Sequence, residues 1–135
     1  MVPLSLLAGA CGGGSSVPDE LSGGRKIYGS NCATCHGGSG QGGAGPALGD
    51  VMDTWPSCTE QQEWIALGSE RWKTVHGPTF GADDTPITAV MPGHEDRLSE
   101  QEIAEVAAYQ RVEFGGGDLA AVLADCGLPA PSSGS

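Results

Sequence analysis

Basic residues are scarce: six Lys and Arg stand against seventeen Asp and Glu in 135 residues, a formal charge of −11. Such a field repels phosphate backbones and anionic headgroups, which excludes nucleic acid as a partner. Aromatic side chains are few as well, 5% of the chain. At this length there is room for one modest domain, and a core built from these side chains alone would be thin. No run is long enough to span a bilayer as a helix. Alternating strand patterns and internal repeats are also missing, which leaves helices and loops.

What the chain does have is glycine, 23 residues, and five cysteines. The opening MVPLSLLAGAC resembles the tail of a bacterial lipoprotein signal: residues 1–10 would be cleaved and Cys11 would become the lipid-bearing N-terminus. No Lys or Arg precedes the apolar run, which a start upstream of Met1 would explain. Residues 11–18 then read as an anchor and a flexible Gly/Ser tether.

A first helix is expected from Asp19 to about Ser30, with Gly24, Ile27 and Tyr28 on one side. Residues 37–50 are a loop by composition. Thr59 and Gln62 form a capping-box pattern that predicts a helix to Leu67, with Gly68 as its stop. Residues 69–92 have no clear period and read as a long loop. Ser99 and Glu102 open the strongest helix, which reaches Phe114 with Ile103, Val106, Ala107 and Tyr109 at helical spacing. Residues 115–135 form an extension, with a short apolar segment and a PAPSSGS tail whose composition predicts disorder.

The chemistry sits in NCATCHGGSG at 31–40, where Cys32, Cys35 and His36 make C-x-x-C-H. That spacing is read as c-type haem attachment: two thiols one helical turn apart add to the vinyl groups, and the adjacent imidazole is placed against the iron. A thioredoxin-like dithiol wants a preceding strand, and zinc wants a second ligand pair that Cys58, His76, His94 and Cys126 do not supply by spacing. A plain Cys32–Cys35 disulfide leaves His36 unused. A buried porphyrin would also supply the interior that the side chains lack.

Together CATCHG at 32–37, GPAL at 45–48, VMPG at 90–93 and LSEQEIAEVAAYQ at 98–110 give the chain a clear resemblance to class I cytochromes c, over about Val17 to Phe114. The resemblance implies an all-α fold, a few helices and long loops wrapped around one covalently bound haem c, with the haem domain spanning 19–114. It implies that the first helix crosses the last with Gly24 and Tyr28 against Ile103, Val106 and Tyr109. It also implies Met91, ahead of Pro92, as the second axial ligand, with His94 and His76 as rivals and Met52 as packing. The Pro46 carbonyl is then the acceptor for the free N–H of His36, and Leu48 packs on the ring edge. Trp55, Trp64 and Trp72 belong to the haem pocket or the core. The two thiols left unassigned, Cys58 and Cys126, most simply pair in an oxidising compartment, closing a loop worth roughly 4 to 5 kcal/mol in the chain-entropy model.

With His36 and Met91 both on the iron, no position is open for a substrate, so the expected role is electron transfer and not catalysis. A thioether favours ferrous iron and raises the potential. The expected setting is periplasmic or otherwise extracytoplasmic, with the domain tethered through Cys11. There it would pass single electrons between a quinol-oxidising complex and a terminal oxidase or reductase. The rival readings are a fixed haem subunit of a larger respiratory assembly and a haem enzyme whose methionine is displaced.

Overall fold

A computed structural model describes residues 17–132. Cys11, the signal-like segment 1–10, the tether up to residue 16 and the last three residues lie outside the described residues. After a single 3-10 turn at Asp19–Leu21, the helices are α1 (Ser22–Asn31), α2 (Ala33–His36), α3 (Val51–Thr54), α4 (Cys58–His76), α5 (Glu100–Glu113) and α6 (Leu119–Asp125). The strands β1 (Thr79–Phe80) and β2 (Thr85–Pro86) form a two-residue antiparallel hairpin.

The crossing of α1 and α5 is the centre of the molecule. A Cβ at Gly24 would collide with the carbonyl of Glu105 and come within 2.8 Å of Tyr109 Cβ. Only glycine lets the two backbones approach this closely, and the packing gained offsets the helix propensity it costs. One turn on, Tyr28 is buried with its ring 5.6 Å from that of Tyr109 and 4.9 Å from that of Phe114. Around this contact Leu21, Tyr28, Cys32, Ile65, Ile103, Val106 and Tyr109 form the larger apolar cluster. The Ser99–Glu102 capping box is complete: the Ser99 hydroxyl accepts from the Glu102 amide, and the Glu102 carboxylate accepts from the Ser99 amide.

At the start of α4 the structure departs from the sequence pattern. No Thr59–Gln62 box forms, and no side chain of the N-cap residue, Ser57, caps the helix. The Cys58 amide instead donates to Asp125 Oδ2 of α6 at 2.9 Å, and Gln62 turns to the Cys126 carbonyl at 3.2 Å. A carboxylate from a distant helix thus does what a local box would do, since the orphan amides of a first turn are indifferent to the source of their acceptor. A disulfide between Cys58 and Cys126, 5.1 Å apart at Cα, fixes the same junction across 68 residues of sequence.

Helix α4 also runs beyond its expected end. Gly68 has non-helical angles (φ 70, ψ 175), yet the chain resumes helix on its far side and continues to His76. The long loop expected at 69–92 is therefore a half-helix followed by the hairpin. Arg111, 2% exposed, ties α5 to the entry of α4: Nη1 donates to the Trp55 carbonyl at 2.7 Å and to Gln61 Oε1 at 3.0 Å, while Nη2 reaches the Pro56 carbonyl at 3.3 Å.

Candidate functional site

Helix α2 is a single turn, and it places Cys32 and Cys35 at its two ends, with the His36 amide donating to the Cys32 carbonyl at 3.0 Å. Cys32 is buried, Cys35 is exposed, and both are free thiols. Gly37 follows with φ 88, a left-handed angle that turns the chain sharply out of the helix. The loop then doubles back: the Gly45 amide donates to the Cys35 carbonyl at 2.8 Å, and the Leu48 amide to the Gly40 carbonyl at 2.8 Å.

This return brings the Pro46 carbonyl 2.8 Å from His36 Nδ1. A carbonyl only accepts, so Nδ1 carries the ring proton and Nε2 presents a lone pair. Such a tautomer, fixed from its outer side, is what a metal-ligating imidazole requires. Gly45 lies against the ring, where an added Cβ would come 2.9 Å from Cε1 and 3.0 Å from Nδ1. The sequence pattern GPAL assigns no role to Gly45 itself, although its place just before Pro46 is a usable signal. Leu48 is half-buried against the cluster that contains Cys32.

The thiol environment separates two of the chemistries open to C-x-x-C. Burial, with the charge of Cys35 adding to it, pushes the Cys32 thiol up to about 11. A dithiol oxidoreductase needs the opposite shift, because its nucleophile is a thiolate near neutral pH. Among the described residues no three His, Cys, Asp or Glu side chains converge to hold a metal ion by themselves.

The segment at Met91 is set on the opposite half of the sequence. Met91 is partly buried against the same cluster as Cys32. Its amide donates to Ser69 Oγ at 2.9 Å and its carbonyl accepts from the Ser69 amide at 2.9 Å. Of the rival ligands, His76 is exposed, with Nε2 2.7 Å from Glu63 Oε1 and its ring 4.0 Å from that of Trp72. His94 is 2% exposed, with Nδ1 3.3 Å from the Ile65 carbonyl and Nε2 without a partner. Burial, the largest effect, lowers its pKa and keeps it neutral. Met52 packs beside Val51, Trp55 and Trp72 in the second apolar cluster.

That second cluster gathers the three tryptophans and Phe80. Trp55, Trp64 and Trp72 lie 5.4 to 5.6 Å apart, ring centre to ring centre, and Phe80 stacks on Trp64 at 4.9 Å. Trp72 Nε1 donates to the Thr79 carbonyl at 3.0 Å, which ties α4 to the hairpin.

The cytochrome c family model matches residues 21–111, from the 3-10 turn through most of α5. The chain belongs to the cytochrome c family. As a cytochrome c its cofactor is haem c, and the fixed His36 tautomer beside two unpaired thiols fits that group. The cytochrome is 33% identical over 97 residues to the cbb3-type cytochrome c oxidase subunit CcoP of Azospirillum sp. (strain B510). It is 32% identical over 91 residues to subunit FixP of Sinorhizobium medicae (strain WSM419). Each alignment covers 66% of this chain but only 29% and 28% of the relative, so the chain spans under a third of their length. Among solved structures it is similar to the c-type cytochrome XoxG from Methylobacterium extorquens AM1, at 23% identity and a TM-score of 0.51 over 72% of this chain and 52% of that one. At that identity the likeness shows the fold alone. No helix among the described residues is long and apolar enough to cross a membrane.

Proposed function

We propose that this cytochrome carries single electrons on one haem, attached through Cys32 and Cys35 and ligated by His36 and Met91. The observation that supports the reading is the His36–Pro46 hydrogen bond, which leaves the Nε2 lone pair free for a metal. Haem c supplies a one-electron couple when bound. The protein's part is to fix both ligands, to exclude water through the cluster around Cys32, and to set the potential through the thioether. In this reading residues 19–114 are the haem domain and 115–135 an extension stapled to it by Cys58–Cys126.

The setting proposed is the outer side of a bacterial membrane, between a quinol-oxidising complex and a terminal oxidase or reductase. A lipid on Cys11 would hold the domain near its partners at high effective concentration. The −11 charge calls for a partner with basic residues around its entry site. Electron-transfer rates should then fall as ionic strength rises, and flat rates would remove that partner class.

A second reading, a fixed haem subunit of an oxidase assembly, is favoured by the identity of CcoP and FixP as oxidase subunits. Isolation of the native protein decides between them: a stoichiometric complex supports the subunit and a free cytochrome the carrier. A redox-titrated visible spectrum tests the ligand set itself. A six-coordinate haem is expected, which binds carbon monoxide only weakly, at high concentrations; ready binding at low concentrations would favour a haem enzyme with a displaceable methionine.

A further inference from the structure

The break in α4 is a socket for the Met91 segment. In an unbroken helix the carbonyls of Ile65 and Ala66 would accept from the amides of residues 69 and 70. With the turn opened at Gly68, the His94 amide donates to both carbonyls, at 3.0 and 3.1 Å, and the Glu95 amide to that of Ala66 at 3.2 Å. The Ser69 amide, released in the same way, donates to the Met91 carbonyl at 2.9 Å. The Ser69 hydroxyl accepts from the Met91 amide at 2.9 Å, so one fully buried serine satisfies both backbone polar groups of Met91.

Two glycines let the strands of this socket meet. A Cβ at Gly68 would lie 2.6 Å from the Met91 carbonyl oxygen and would also strike the Gly93 amide. One at Gly93 would lie 2.5 Å from the Leu67 carbonyl oxygen. Arg71 and Glu95 close the outer edge as an ion pair.

We propose that Ser69 is a positioning residue for Met91: its hydroxyl and amide hold the Met91 backbone so that the thioether is presented to iron and stays there. The inference rests on the proposed ligation by Met91. Without the hydroxyl, the Met91 amide loses its acceptor in the part-buried seated loop, whereas in a detached loop it is hydrated. Leaving that donor unmet makes detachment easier by about tenfold.

The test is the carbon monoxide affinity of the ferrous holoprotein, read from the visible spectrum. Carbon monoxide competes with the thioether, so S69A should raise its apparent affinity about tenfold. An S69A affinity within about twofold of wild type would overturn the proposal. Met91→Ala is the control on the underlying reading: it should abolish the sulfur-to-iron band, and a retained band would overturn the ligand assignment itself. If S69A yields no holoprotein, amide exchange in the wild-type protein decides. A Met91 amide as slow as those of α5 supports the clamp, and one exchanging at the rate of an open loop contradicts it.

Discussion

The His36 side and the Met91 side of this cytochrome are built by different means. His36 is held within its own neighbourhood: α2, the turn at Gly37 and the return at Gly45–Pro46 span fifteen residues, from 32 to 46. The Met91 segment is held from a distance, Met91 by Ser69 and the following His94 and Glu95 by Ile65 and Ala66, on a helix more than twenty residues earlier. A local scaffold is organised as soon as its short loop closes, whereas a remote one exists only when α4 and the 91–95 segment are docked. Of the two proposed ligands, the one that stays fixed should be His36, and the one whose grip can be tuned should be Met91.

The largest effect should come from the local side. Replacing both Cys32 and Cys35 by serine should leave exported protein without covalent haem, seen as complete loss of haem staining on a denaturing gel. Retained staining would end the attachment assignment. On the remote side Met91→Ala should leave haem attached but lower the potential by on the order of 100 mV, nearly two decades in a one-electron constant. An unchanged potential would make the two sides alike.

Away from both ligands, Cys126→Ser should cost about 2–5 kcal/mol, measured by denaturant unfolding, with the visible spectrum unmoved. A spectral change there would mean that the staple at α6 also positions the haem. The smallest effect concerns His94. Burial lowers its pKa, so the unfolded chain binds a proton that the folded one refuses. Stability from this group is therefore fully present above the ordinary histidine value of about 6.5 and falls as pH drops below it, by at most about 1.4 kcal/mol per pH unit. His94→Gln should flatten that slope between pH 6.5 and 5; an equally steep slope would place the titration elsewhere.

The same division governs what could be read from the amino-acid order. C-x-x-C-H and the Ser99–Glu102 box are short-range patterns, while the glycine at the α1–α5 crossing is what the family resemblance implies; each has a structural counterpart at the expected residues. The start and end of α4 were misread because their determinants are remote. Asp125 supplies the cap that Thr59 and Gln62 were expected to form, and the 91–95 segment supplies the hydrogen-bond partners that let the helix resume after Gly68. Arg111 was equally illegible, since a buried arginine is recognised only once the carbonyls of Trp55 and Pro56 stand around it.

One covalently held haem c completes this fold. Mass spectrometry of protein matured in a host that attaches haem to exported chains tests it most directly. The predicted result is the polypeptide plus one tetrapyrrole, retained under denaturing conditions; the mass of the bare polypeptide would contradict it.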